Sequence, residues 1–118
     1  MLTIIPASPP TLRLYARRPQ ERPLTDLLYM QSYANYTWLV WRNGERVLMP
    51  RTMKYFEAKV PAGQFVRIHR QYAINTGHID RVEQAPNQLT VRLSNGACLL
   101  VSRRRLTGVR AVLRQYIY

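Results

Sequence analysis

The alternation of apolar and polar residues predicts β-strands along most of the chain. Residues 36–41 are rich in aromatic and β-branched side chains, residues 46–49 form a return strand, and Asn43-Gly44 between them is typical of a hairpin. A second Asn-Gly pair, Asn95-Gly96, lies between two further apolar runs. The other predicted strands are residues 12–16, 27–30, 65–69, 73–75, 79–84, 89–93 and 97–101. The pattern therefore predicts a mainly β domain.

Two segments have the spacing of short helices instead. Thr52 is a suitable N-cap for a helix whose apolar residues are Met53, Phe56 and Val60, and Pro61-Ala62-Gly63 would end it. Residues 103–116 form a basic C-terminal segment with one apolar helical stripe. The stripe consists of Leu106, Val109, either Val112 or Leu113, and Tyr116. We expect this amphipathic helix to pack its stripe on the sheet.

One strand pattern is interrupted by polar residues. In residues 65–75 (FVRIHRQYAIN), Val66 and Ile68 alternate with polar neighbours, and so does Ile74 further on, but His69-Arg70-Gln71 places three polar residues in a row. An arginine thus stands where the apolar register of a continuous strand would bury a side chain.

The charge balance of the chain indicates what kind of partner it binds. The 118 residues fit one domain and 47% of them are apolar, but 18 basic residues against 6 acidic ones give a net charge of +12. All the basic residues except Lys54 and Lys59 are arginine, whose planar fork matches phosphate and guanine. Such an excess predicts a polyanionic partner, and nucleic acid is the foremost candidate.

Few residues are available for catalysis or metal binding. The closest carboxylates, Asp80 and Glu83, would point to opposite faces of a strand, and His69 and His78 are the only histidines. A single cysteine, Cys98, excludes an internal disulfide and a zinc site built on cysteines. The glycines are dispersed and form no phosphate-binding loop. We therefore expect a binding protein, not an enzyme, with no metal and no cofactor.

The binding classes that remain are double-stranded DNA, RNA and an anionic membrane. An RNA-binding sheet would use exposed aromatic side chains, for which Tyr33, Tyr36, Trp38 and Trp41 are available. The basic C-terminal helix could suit a membrane surface, although core packing is the preferred interpretation. The single cysteine favours a cytoplasmic protein. The sequence has neither a signal peptide nor an apolar stretch approaching a membrane span, so we expect no membrane partner.

Three blocks of the sequence resemble the LytTR DNA-binding domain, the output domain of bacterial response regulators of the LytR/AlgR type. Residues 65–75 are close to that family's F-x-R-x-H-R-S-x-x-V-N signature. LYMQS at residues 28–32, with Asn35-Tyr36-Thr37, resembles its I-x-Y-I-E-A … N-Y opening. Asn95-Gly96, followed by Val101-Ser102-Arg103-Arg104, resembles its N-G … V-S-R-R close. The blocks occur in the family's order, and the resemblance spans residues 24–114.

The resemblance implies an elongated fold of small β-sheets with short helices that inserts loops, not a recognition helix, into successive DNA grooves. It would make His69-Arg70-Gln71 the tip between two strands, with Arg70 directed at a base edge. Base contacts carried over by position are Thr37 and Trp38 in a first loop, Arg70 in a second and Arg104 in a third. We assign phosphate contacts to Arg67, His69, Arg103 and Arg105, and a structural role at the strand end to Asn75.

The resemblance also bears on partners and organisation. Family members commonly bind repeated half-sites in pairs, which implies duplex DNA and a second copy of the chain as partners. Gln71 replaces the family's usual serine and Gln31 its usual glutamate, which we expect to alter only local hydrogen bonds. We expect a proline-rich extension at residues 1–23 and a LytTR-like domain at residues 24–118. The extension is too short for a receiver domain, so we expect either a stand-alone regulator, which the opening Met1 favours, or a part of a longer protein.

Overall fold

A computed structural model describes residues 11–15 and 19–117 of the chain. Ten strands and two short α-helices follow one another in this part of the chain. The strands are β1 (Thr11–Tyr15), β2 (Pro19–Pro23), β3 (Leu27–Tyr33), β4 (Tyr36–Trp41), β5 (Arg46–Met49), β6 (Phe65–His69), β7 (Tyr72–Asn75), β8 (Ile79–Ala85), β9 (Gln88–Leu93) and β10 (Cys98–Leu100). The helices are α1 (Met53–Glu57) and α2 (Leu106–Val112). Single 3₁₀ turns occupy Leu24–Asp26, Thr76–His78, Arg103–Arg105 and Arg114–Tyr116. The prediction of a mainly β fold with short helices is confirmed.

The strands form three antiparallel sheets. The largest has five strands in the order β5-β4-β3-β7-β6, and the second has three in the order β10-β9-β8. In the third, β1 pairs with β2 alone. Both predicted Asn-Gly hairpins are present, since Asn43-Gly44 connects β4 to β5 and Asn95-Gly96 connects β9 to β10. Gly44 and Gly96 have a φ of +88°, a left-handed conformation that glycine adopts without steric cost.

Two apolar clusters hold these sheets together. The first joins residues of β3, β4 and β7 to Met53 and Phe56 of α1 and to Leu12 of β1. The second joins β6 and β7 of the large sheet to the three-stranded sheet and to Val109 and Leu113 near the C-terminus. The large sheet is therefore the central layer, because α1 packs with the first cluster and α2 with the second.

The ends of several elements differ from the sequence-based expectations. α1 begins at the expected cap, where Thr52 Oγ1 accepts a hydrogen bond of 3.4 Å from the Tyr55 amide, but it ends at Glu57, before Val60. In the C-terminal segment Leu113 is fully buried whereas Val112 is 54% exposed, so the apolar stripe runs through Leu113. A 3₁₀ turn precedes α2 and another follows it, which limits regular α-helix to Leu106–Val112.

The proline-rich segment contains more structure than an extended lead-in. The strand expected from Leu12 is present as β1, and it pairs with β2 in register from Thr11 opposite Pro23 to Tyr15 opposite Pro19. Ala16, which we placed at the end of this strand, lies outside the described residues. Leu12 is buried in the first apolar cluster together with Leu24 and Trp41, so this segment contributes to the core.

Candidate nucleic-acid interface

The interrupted strand pattern around Arg70 is a hairpin turn. β6 ends at His69 and β7 begins at Tyr72, and these two residues are partners across the hairpin, so Arg70 and Gln71 form a two-residue connection. We call Arg70-Gln71 the Arg70 turn. The register shifts between Arg67 and His69, which is a bulge of the kind that redirects side chains next to functional sites. Arg70 is exposed at the tip, as the sequence indicated.

Arg67 makes hydrogen bonds within this hairpin and an ion pair with α1. Its Nε donates to the His69 carbonyl at 2.9 Å, its Nη2 donates to the Arg70 carbonyl, and its Nη1 forms an ion pair of 2.7 Å with Glu57 Oε1. All three guanidinium nitrogens therefore have acceptors inside the protein. These three bonds hold the guanidinium in place and leave two of its five N–H groups for another acceptor, so the phosphate contact expected of Arg67 stays a prediction.

His69 also contributes to the local structure. Its Nδ1 accepts a hydrogen bond of 3.1 Å from the Gln71 amide, and its ring lies 5.7 Å from the ring of Tyr72. The side chain is half-buried, and Nε2 is the ring nitrogen left to meet a phosphate. Tyr72 in turn contacts Tyr29, with ring centroids 6.2 Å apart. Burial raises the pKa of the Tyr29 phenol, and the positive charge of Arg46 opposes that rise.

The C-terminal arginines lie beside the Arg70 turn. The Ser102 amide donates a hydrogen bond of 2.8 Å to the Ile68 carbonyl, which attaches the Arg103–Arg105 turn to β6. An open cleft of about 550 Å³ is lined by His69, Arg70, Ser102, Arg104 and Arg105. No carboxylate lines it, and the three arginines of the 3₁₀ turn are exposed. The fold thus brings together two segments that are about thirty residues apart in sequence and makes one basic surface from them.

Thr37 is not part of a loop and is not accessible. It is the second residue of β4, its side chain is fully buried, and its Oγ1 donates a hydrogen bond of 2.7 Å to the Arg51 carbonyl. We therefore correct the expectation of a base contact at Thr37. The hydroxyl group fastens the segment that precedes α1 to the sheet, and it has no surface left with which to touch DNA.

Trp38 also lies within β4 and not in a loop. Its side chain is half-buried, and the guanidinium of Arg46 lies over its ring at 4.5 Å from the centroid. Trp38 is opposite Leu48 on one side and Gln31 on the other, and Gln31 is opposite Tyr72, so these side chains share one face of the sheet. Trp38 therefore lies on the same face of the sheet as Tyr72, which follows the Arg70 turn and is two strands away from Trp38.

A third turn adjoins the Arg70 turn and was not predicted from the sequence. β3 and β4 are joined by Ala34-Asn35, and the flanking partners Tyr33 and Tyr36 are 63% and 45% exposed. The Ser32 amide donates a hydrogen bond of 2.9 Å to the Gln71 carbonyl, which attaches this hairpin to the Arg70 turn. Ala34 has a φ of 52°, in the left-handed region that residues other than glycine rarely adopt. The family motif Asn35-Tyr36 was the available signal for this turn. It could not be recognised from hydrophobic periodicity, because the motif has no hydrophobic pattern.

Asn75 and Trp41, two further residues named from the sequence, are both buried. Asn75 is buried, its Nδ2 donates to the Leu24 and Leu27 carbonyls at 3.2 and 2.8 Å, and its Oδ1 accepts from the Gly77 amide at 2.9 Å. The structural role expected for Asn75 is thus confirmed. Trp41, named as a possible base-stacking residue, is only 2% exposed, so it cannot serve as a stacking surface.

A second cleft lies at the other end of β4. It has a volume of about 480 Å³ and includes Trp41, Asp26, Arg42 and the ion pair between Arg22 Nη2 and Glu45 Oε1, which measures 2.8 Å. The hydrogen bond from Arg22 lowers the pKa of the Glu45 carboxyl group. Because the cleft contains both carboxylates and guanidinium groups, its charges largely cancel, in contrast to the basic surface around Arg70.

Two other kinds of site are absent from the part of the chain that the structure describes. Within it, no three histidine, cysteine or carboxylate side chains come together as metal ligands would. None of its helices has the length and apolar character needed to cross a bilayer. The apolar stripe of the C-terminal segment instead faces the second cluster, where Val109 and Leu113 are buried.

The fold is that of a known DNA-binding domain family. The LytTr DNA-binding domain profile matches residues 21–114, and the chain belongs to this family. A solved LytTr DNA-binding domain of a response regulator from Bacillus cereus has the same fold, with a TM-score of 0.75 at 19% identity over 87% of this chain and 95% of that one.

Two curated relatives are longer than this chain. The positive alginate biosynthesis regulatory protein of Pseudomonas aeruginosa is 32% identical over 96 residues, which is 79% of this chain and 38% of the relative. The transcriptional regulatory protein YpdB of Escherichia coli is 30% identical over 61 residues, which is 52% of this chain and 24% of the relative. The chain therefore matches well under half of the length of either regulator.

Proposed function

We propose that this chain is the sequence-specific, duplex-DNA-binding part of a bacterial transcription regulator acting in the cytoplasm. Membership of the LytTr DNA-binding domain family and the similarity to two regulators support this proposal. The observation that carries it to particular residues is the basic cleft between the Arg70 turn and the Arg103–Arg105 turn. Its role is binding, not catalysis.

Arg70 and Arg104 are the proposed base-contacting residues. Both are exposed, both line the cleft, and an arginine fork can donate two hydrogen bonds to O6 and N7 of guanine in the major groove. Arg103, Arg105 and His69 are the proposed phosphate contacts, which fix position without distinguishing sequence. We propose the hairpin at Ala34-Asn35, which Tyr33 and Tyr36 flank, as the first DNA-contacting segment in place of Thr37. Trp38 remains a proposed base contact at the edge of this segment.

The proposed partner organisation includes a second copy of the chain on repeated half-sites. With a net charge of +12, two copies repel each other in solution, so DNA would bring them together. We propose residues 24–118 as the binding unit and residues 1–23 as an extension. A selected DNA motif with two repeats about one helical turn apart supports the paired arrangement, and a single short element contradicts it.

Selection from a random duplex pool at near-physiological salt tests the function as a whole. We expect recovery of a defined motif, and we expect that duplex to compete better for the chain than structured RNA or anionic vesicles at equal phosphate concentration. If RNA displaces the duplex, the exposed Tyr33 and Tyr36 are base-stacking residues of an RNA-binding sheet, and the proposal is wrong. If no sequence is enriched, the chain binds DNA only through its charge.

A further inference from the structure

The backbone of the Arg70 turn is fixed by hydrogen bonds from three directions. Arg67 donates to the carbonyl groups of His69 and Arg70, the Gln71 amide donates to His69 Nδ1, and the Gln71 carbonyl accepts from Ser32. A turn held in this way presents its exposed side chain from a defined position, which a bidentate base contact requires. Arg67 supplies two of these bonds.

Arg67 is itself held by a residue outside the hairpin. Glu57 Oε1 lies 2.7 Å from Arg67 Nη1, and both side chains are only partly exposed, at 36% and 25%. Glu57 is the last residue of α1, whose Met53 and Phe56 are buried in the first apolar cluster. A continuous series of contacts therefore leads from the core, through Glu57 and Arg67, to the turn that carries Arg70.

The charge of Glu57 is opposite to what DNA affinity alone would favour. The chain has six acidic residues, and Glu57 is paired with an arginine directly behind the turn that carries the proposed base contact. A carboxylate near bound DNA is repelled by phosphates, so on charge alone its loss should strengthen binding to every sequence. A positioning role explains why an acidic residue occupies this place.

We propose that Glu57 is a positioning residue that sets base preference at the DNA position met by Arg70, without touching the DNA. It acts through Arg67, and the inference rests on the proposed function of the cleft. The two single variants Glu57→Gln and Arg67→Lys test it, because the first removes the ion pair and the second keeps the positive charge but loses the fork. Glu45→Gln is a matched control, since it breaks an ion pair of 2.8 Å with Arg22 at the other end of the sheet and changes the net charge equally.

Each variant of the full chain is measured against the selected duplex and all its single-base substitutions. We expect Glu57→Gln to reduce discrimination about two- to fivefold, only at the position that Arg70→Ala affects, as for one partly exposed ion pair. Arg67→Lys should reduce it more, up to the ~5- to 150-fold of a lost bidentate contact. In the Arg70→Ala background neither change should matter further at that position.

The competing roles give different results. If Arg67 contacts phosphate, Glu57→Gln frees it, so affinity rises for all sequences alike and base preference stays unchanged. That outcome overturns the proposal, as does equal loss of preference in Glu45→Gln. Thermal melts establish whether the variants fold. If Glu57→Gln does not fold, Arg67→Lys alone tests the proposal. Failure of the proposed function is separate, because the wild-type chain would then show no base preference at all.

Discussion

The Ser32 amide donates a 2.9 Å hydrogen bond to the Gln71 carbonyl, joining the hairpin between β3 and β4 to the Arg70 turn. The Ser102 amide makes an equivalent bond of 2.8 Å to Ile68 on the other side of the same hairpin. Three segments distant in sequence are thereby fixed beside one another by backbone atoms. These bonds fix the spacing of the backbone positions that carry the exposed side chains, as a surface that contacts several base pairs requires.

Replacing Arg70 or Arg104 by alanine should relax base preference at separate positions of the DNA site. A bidentate arginine–guanine contact contributes about 1–3 kcal/mol of discrimination at one base pair. A substitution scan of the selected duplex measures this, and Arg92→Ala, an exposed arginine on β9, is the control. If both variants keep all base preferences, the sequence is distinguished by the Ala34-Asn35 hairpin, by Trp38 or by DNA shape.

Replacing Arg103 or Arg105 by alanine should weaken binding to all sequences equally. Each lost phosphate contact should make the dependence of log K on log salt concentration shallower by about 0.9, since fewer counterions are released. Titrations at several salt concentrations provide the slope. A changed base preference in either variant would show that the assignment of contacts within the 3₁₀ turn is wrong.

Thr37→Val should destabilise the fold without altering base preference. The change keeps the shape of the side chain but leaves the Arg51 carbonyl without its 2.7 Å donor, at a cost of about 1–3 kcal/mol. Denaturant unfolding gives the free energy, and the substitution scan gives the preference. Unchanged stability together with altered base preference would restore Thr37 as a DNA contact.

Leu113→Ala should lower the free energy of unfolding by about 2–5 kcal/mol, because the side chain is fully buried in the second apolar cluster. Val112→Ala is the adjacent control, and since Val112 is 54% exposed it should change stability by about 0.5 kcal/mol or less. Equal effects of the two substitutions would mean that the C-terminal stripe does not pack as described.

The sequence by itself determined the elements and the position of the main turn. Alternation with a period of two and the Asn-Gly pairs are local signals, and they predicted the strands on either side of Gly44 and Gly96. The polar run His69-Arg70-Gln71 marked an interruption of the strand, and the resemblance to the LytTR family identified it as a tip, whose two-residue connection is Arg70-Gln71. The resemblance of three short motifs to the LytTR family was also sufficient to predict the family.

Only the tertiary structure decided which polar side chains are available to DNA. Thr37, Arg67 and Arg104 are all polar residues in family motifs, yet the first is buried, the second is bound to Glu57 and only the third is exposed. Their difference depends on partners such as the Arg51 carbonyl, 14 residues from Thr37, and on Glu57, ten residues from Arg67. Such partners are set by how elements pack, and the periodicity of a single strand contains no information about them.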